Sequence, residues 1–181
     1  MTETAGQSRV FFALWPTPEL RRRLHRETRR LHHLLDGRPT RPDTLHLTLV
    51  FIGTVDNRRL PELAAVASRI RCAAFDLRFD QVDCWRHNRI AHLGTARPPM
   101  ALLDLVAQLS GHLKAAGVVF DERAYTPHIT LVRKADCSRM DRNENPAPEP
   151  IDWFARDFVL VRSSLRPDGA HYEQLGRWPL L

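Results

Sequence analysis

Hydrophobic residues recur along this chain with two different spacings, and the switch from one to the other marks out its elements. Arg9 to Leu14 (RVFFAL) reads as an opening strand closed by Trp15-Pro16. Thr17-Pro18-Glu19 then supplies an N-cap, a proline at the first helical position and an acidic first turn. The helix they begin runs to about Leu35, with Leu20, Leu24, Leu31, Leu34 and Leu35 on its buried side, and Gly37 and Pro39 end it. Thr44 to Gly53 returns to strand character. Leu60, Leu63, Val66, Ala67 and Ile70 mark a second helix over roughly Asn57 to Cys72.

Phe75, Leu77 and Phe79 alternate with Asp76, Arg78 and Asp80, the period of two expected of a half-buried strand. Arg89 to Thr95 is expected to be its hairpin partner, across His87-Asn88. A third helix follows Pro98-Pro99, from about Met100 to Ala116, closed by Gly117. Val118 to Phe120 reads as a short strand and His128 to Arg133 as a longer one. Phe158 to Leu165 and His171 to Trp178 end the chain as two strands around the turn signal Pro167-Asp168-Gly169. Between them, 134–150 turns to Asp, Asn, Arg and Pro, and is expected to be a long, mobile or functional loop.

Two of these strands carry the same four residues. His46-Leu47-Thr48-Leu49 recurs as His128-Ile129-Thr130-Leu131 with one Leu→Ile change. In a strand, His46 and Thr48 share one face and the intervening leucines point to the core; the same holds for His128 and Thr130. A histidine in an apolar strand is ordinarily a hydrogen-bonded core residue. But of nine histidines only these two share a setting. An imidazole pKa near 6.5 allows one neutral and one protonated ring to coexist near neutrality. A paired acid–base site with approximate twofold symmetry is therefore the sharper reading, with each threonine hydroxyl able to serve a phosphate oxygen or the imidazole.

Composition narrows this reading only a little. The chain has 181 residues, enough for one domain with a real core, and 43% of them are hydrophobic. No apolar run is long enough to span a membrane, and Met1 to Arg9 lacks the apolar stretch of a signal peptide, so a cytoplasmic location is expected. A formal charge of +6 favours polyanionic partners. Cys72, Cys84 and Cys137 form no CxxC pair, and three free thiols are expected. No HExxH, GxSxG or GxxxxGK[ST] motif is present, and the histidines lack metal-ligand spacing, so no metal or other cofactor is expected.

Leu45-His46-Leu47-Thr48-Leu49 followed by Phe51-Ile52-Gly53, with Thr126-Pro127-His128-Ile129-Thr130-Leu131-Val132-Arg133, resembles the two-histidine (2H) phosphoesterase superfamily. Within it, the chain resembles the bacterial RNA 2′,3′-cyclic phosphodiesterases, the LigT-like or 2′-5′ RNA ligase proteins. The opening Arg9 to Leu14 and the closing Tyr172-Glu173 to Trp178-Pro179-Leu180 share that likeness, which covers essentially the whole chain. It implies an α+β, bilobal LigT-like fold over 1–181, a single domain in which two pseudo-symmetric β-sheet lobes flanked by helices each give one motif strand to a central cleft.

The resemblance also implies a reaction: metal-independent opening of an RNA-terminal or nucleoside 2′,3′-cyclic phosphate to a 2′-phosphate. His46 would be the general acid and His128 the general base; the residues themselves do not separate these roles. Thr48, Thr130 and Arg133 would hold the phosphate, and Phe51 would stack on a nucleobase. Strict alternation, however, puts position +5 on the face opposite each histidine, so Phe51 and Arg133 reach the cleft only if the strand ends, twists or bulges. Otherwise Phe51 is core packing and Arg133 a solvated strand end. The expected partners are RNA ends or nucleotides with a 2′,3′-cyclic phosphate, with no membrane, and the protein is expected to act as a monomer. Ligation through a 2′-5′ bond in the same site, a non-catalytic RNA-end binding module, and a phosphodiesterase for ADP-ribose cyclic phosphate are the competing readings.

Overall fold

The structure, a computed structural model, describes residues 6–140, 149–167 and 169–181. Ten strands and three α-helices are present among them. The strands are β1 (Gln7–Leu14), β2 (Arg38–Pro39), β3 (Leu47–Asp56), β4 (Phe75–Phe79), β5 (Gln81–Trp85), β6 (Ile90–Gly94), β7 (His128–Arg133), β8 (Ile151–Ala155), β9 (Asp157–Arg166) and β10 (Gly169–Pro179). The helices are α1 (Pro18–Leu35), α2 (Leu60–Ser68) and α3 (Met100–Ala115). One four-stranded antiparallel sheet has the order β10-β9-β1-β3, a second has the order β2-β7-β6-β5, and β4 pairs with β8. Each four-stranded sheet thus holds one motif strand, β3 at an edge of the first and β7 inside the second.

The helices form where capping and apolar spacing demand them. Thr17 Oγ1 accepts from the Leu20 amide at 3.3 Å, and Leu20, Leu24, Leu31 and Leu35 of α1 are buried. α3 buries Leu102, Leu105, Leu109 and Leu113, one residue per turn. These side chains meet Phe12 and Leu14 of β1, Leu47 and Leu49 of β3, and Ile129 and Leu131 of β7 in one apolar cluster. The core therefore lies behind both motif strands and leaves their other faces open. At the end of α1 the chain reverses through Gly37, whose φ is +89°. A Cβ there would lie 2.6 Å from the Arg133 carbonyl oxygen, so glycine lets α1 and β2 close against the end of β7.

Several expectations need correction. The hairpin partner of β6 is β5, while β4 pairs with β8, a strand that the proline-rich 134–150 stretch obscured. The second helix is shorter than the apolar spacing implied, with a 3₁₀ turn over Asn57–Arg59 before it and an end at Ser68. Val118 to Phe120 is not a strand; Val118 is buried but Val119 is open to solvent. Cys84 and Cys137 are not free thiols but form a disulfide, with Cys72 left unpaired. The link is possible because the Ala135 amide donates to Arg89 O, which carries the chain after β7 across the start of β6 toward β5. Within 134–150 a 3₁₀ turn forms at Cys137–Arg139, and 141–148 lie outside the described residues. So do Met1 to Ala5 and Asp168. Among the described residues no helix is long and apolar enough to cross a membrane.

Candidate active site

The two HxTL phrases are each broken by a bulge at the same place. Along β1 and β3, Phe12 faces Val50 and Ala13 faces Thr48, so Leu49 is an extra residue without a partner. Along β6 and β7, Ala91 faces Val132 and His92 faces Thr130, so Leu131 is the extra residue. A bulge of one residue reverses the alternation beyond it. Phe51 accordingly stands opposite Phe11 on the face that carries Thr48, and Arg133 stands opposite Ile90 on the face that carries Thr130. The parity obstacle to both +5 residues is removed by the last leucine of each phrase.

The halves are tied together beside these bulges. β3 and β7 touch, the Tyr125 hydroxyl donates to Thr48 O at 3.2 Å, and the Asp121 amide donates to Phe51 O at 2.9 Å. The segment entering β7 is thus anchored to the first motif strand.

Each motif histidine is fixed in the same way. His46 Nδ1 lies 2.6 Å from Thr44 O and His128 Nδ1 lies 2.8 Å from Thr126 O, in both cases the carbonyl two residues upstream. A carbonyl accepts only, so Nδ1 carries the hydrogen in both neutral rings and Nε2 is the working nitrogen. His46 Nε2 is 3.2 Å from Thr48 Oγ1, within the same face of the same strand.

Aromatic walls surround both rings. Trp15 stacks on His46 with 5.5 Å between centroids, and Phe11 and Tyr172 approach it at 4.9 and 5.3 Å. Trp85 meets His128 at 4.5 Å, and His92 lies 5.6 Å from it. Burial among these rings disfavours the charged form, and the Arg133 guanidinium adds to it. The His46 imidazole is lowered to about 4, by burial first, with the Thr44 carbonyl opposing and the charges of Arg133 and His128 adding. The His128 imidazole is lowered by burial and Arg133 against the opposing Thr126 carbonyl. Arg133 also acts on Tyr172, so one exposed guanidinium reaches across to groups on both sheets.

His46, Thr48, His128, Thr130, Arg133 and Phe51 therefore all lie on open faces of the motif strands. Phe51 is half-buried, with Arg9 held 4.8 Å over its ring, and it joins the small apolar cluster of Phe11, Ala13, Val159 and Val161. Trp15, Phe11, Tyr172, Trp85 and His92 were not singled out by sequence reasoning. Only the strand-ending position of Trp15 hinted at it; the others are delivered by pairing register. Among the described residues no group of three His, Cys, Asp or Glu side chains is placed to hold a metal ion. A groove of about 660 Å³ adjoins the site, sharing Trp15 and lined further along by Arg21, Arg23, Phe154, Arg156 and Arg177.

Two antiparallel sheets, each giving one HxT strand with its imidazole on the open face, define the fold of a two-histidine phosphoesterase. A family model for LigT-like phosphoesterases matches residues 14–92. The chain is 33% identical to the RNA 2′,3′-cyclic phosphodiesterase of Escherichia coli, over 95% of this chain and 96% of that one. It is 28% identical to the RNA 2′,3′-cyclic phosphodiesterase of Thermus thermophilus, over 95% and 90% of the two chains. The crystal structure of E. coli LigT in apo form superposes with a TM-score of 0.85 at 30% identity, covering 97% of this chain and 99% of that one. LigT complexed with 3′-AMP superposes equally well, with a TM-score of 0.85 at 31% identity and 96% and 98% coverage. The chain belongs to the LigT-like phosphoesterase family.

Proposed function

We propose that this protein hydrolyses 2′,3′-cyclic phosphates at RNA ends or on nucleosides to 2′-phosphates, with His46 and His128 as its acid and base. The observation that carries the reading is the matched pair of imidazoles, each with Nδ1 spent on a backbone carbonyl so that Nε2 is the nitrogen turned to the open face, where that of His46 meets Thr48 Oγ1, and both under the field of Arg133. In-line displacement needs a base and an acid on opposite sides of phosphorus, and strands from two facing sheets meet that need. His128 Nε2 takes a proton from water as its oxygen bonds to phosphorus. The P–O3′ bond breaks and O3′ takes the proton held on His46 Nε2. Each positioned imidazole contributes roughly 10²- to 10⁴-fold.

Thr48, Thr130 and Arg133 hold the non-bridging oxygens, where charge accumulates. The bound anion offsets the Arg133 field on His46 and so favours its protonated form. Phe51 faces the base. The groove beyond Trp15, where Arg21, Arg23, Arg156 and Arg177 outnumber Glu19, Asp152 and Asp157 and Phe154 is exposed, suits the RNA strand that precedes the reacting end. Both motif strands come from one chain, so a monomer suffices. We infer a cytoplasmic location for the protein.

The test is an RNA oligomer ending in a 2′,3′-cyclic phosphate, incubated with excess EDTA and followed by ³¹P NMR. A 2′-phosphate product at an unchanged rate is expected. A 3′-phosphate product, or abolition by chelator, refutes the reading.

A further inference from the structure

Beside His128 stands a third imidazole for which the acid–base pair has no use. His92 lies on β6 directly opposite Thr130, on the open face that also carries His128 and Arg133. It is only 4% exposed. Its ring lies 4.2 Å from Trp85 and 5.6 Å from His128, while Gly94, opposite His128, adds no side chain of its own beside that ring and Gln81 of β5 reaches the edge of that space. Its Nδ1 leans on Ile90 O at 3.4 Å, again the carbonyl two residues upstream, the attachment used by His46 and His128. Its Nε2 has no hydrogen-bond partner among the described residues, yet is not one of the sealed, partnerless polar atoms, so it reaches solvent. Burial first, and then the neighbouring His128, lower the His92 imidazole and favour its neutral form, with the Ile90 carbonyl and Asp83 on β5 opposing. A neutral ring with hydrogen on Nδ1 offers Nε2 as an acceptor.

A water molecule attacking phosphorus has two O–H bonds, and its lone pair is aimed only when both are held. We infer that His92 Nε2 accepts the second hydrogen of the attacking water while His128 Nε2 accepts the first, making His92 the residue that selects water over an alcohol as nucleophile. The inference rests on the cyclic phosphodiesterase reading above. The proton bound for transfer goes to His128; His92 keeps a hydrogen bond and gains no proton. An alcohol has one O–H, which His128 satisfies, and so gains nothing from His92.

The experiment is product partition on adenosine 2′,3′-cyclic phosphate in water–methanol mixtures, reading the 2′-phosphate methyl ester against the free 2′-phosphate. His92→Phe keeps the ring and removes the acceptor. It is expected to raise the methanolysis-to-hydrolysis ratio about tenfold, the scale of one hydrogen bond. His92→Gln, with a carbonyl oxygen in reach, is expected to hold the ratio within about threefold of wild type. The ratio is internal to active molecules, so partial misfolding does not alter it. A wild type that forms both products with a ratio unchanged in His92→Phe overturns this inference alone. A wild type that forms neither overturns the reading on which it rests.

Discussion

The burial of His46 has a consequence for folding that can be measured without substrate. In the unfolded chain this imidazole takes up a proton below about pH 6.5. In the folded protein it resists protonation until about pH 4, because Phe11, Trp15 and Tyr172 shield it from water and Arg133 adds a positive field. As pH falls from 6.5 toward 4, protons bind the unfolded state preferentially and stability is lost. Each unit of difference is worth about 1.36 kcal/mol, so His46 alone should remove about 2.5 kcal/mol between pH 7.5 and pH 4.5. The perturbation is His46→Asn, whose amide can still donate to Thr44 O but cannot titrate. Urea unfolding of both proteins at the two pH values, under one redox condition, gives the comparison, since carboxylates common to both cancel. The variant should lose about 2.5 kcal/mol less than wild type on acidification. Parallel losses, within about 0.5 kcal/mol, would mean that His46 is not desolvated by this aromatic wall and would refute the reasoning.

Other predictions concern the charges and cross-links around the same strands. Because both motif imidazoles are held below 6.5 in the free protein, kcat/KM should be bell-shaped with both limbs on the acid side of that value, and the optimum of kcat should lie higher, once the bound phosphate anion offsets Arg133. A kcat/KM that still rises through pH 8 would argue against paired imidazoles. Arg133→Gln removes the charge that adds to burial in depressing both rings, so its kcat/KM profile should move to higher pH while the peak rate falls roughly 10²-fold; an unmoved profile would place the guanidinium away from the site. Reduction of the Cys84–Cys137 disulfide, which closes a separation of 53 residues, should lower stability by up to about 4 kcal/mol in calorimetry, and no change in Tm would show that the bond adds nothing.

Much of the fold was legible because most elements obey a single period. The alternation of Phe75, Leu77 and Phe79 is what β4 buries, and α1 buries Leu20, Leu24, Leu31 and Leu35, with Leu34 only half-buried and Glu27 and Thr28 buried beside them. The HxTL repeat pointed to its site through identity alone. Its geometry was not legible in the same way. Leu49 and Leu131 fit an unbroken alternation as well as they fit a bulge, and only the partners on β1 and β6 reveal that each is skipped. That pairing information decides where Phe51 and Arg133 point. The same holds for His92, which reads as one polar residue in an apolar stretch until β7 is placed beside it. Cys84 and Cys137 are brought together by sheet order and by the hydrogen bond from Ala135 to Arg89, neither of which leaves a trace in spacing. Trp15 and Tyr172 come from opposite ends of the chain and meet each other edge to face beside His46.

The central claim is that two imidazoles on two strands perform one displacement. It is tested most directly by a short RNA bearing a 2′,3′-cyclic end, incubated with wild type, His46→Ala and His128→Ala at equal folded concentration. Wild type should yield the 2′-phosphate, and each variant should lose at least about 10²-fold in kcat. A variant that retains the wild-type rate, or a wild type that yields the 3′-phosphate, would contradict the account.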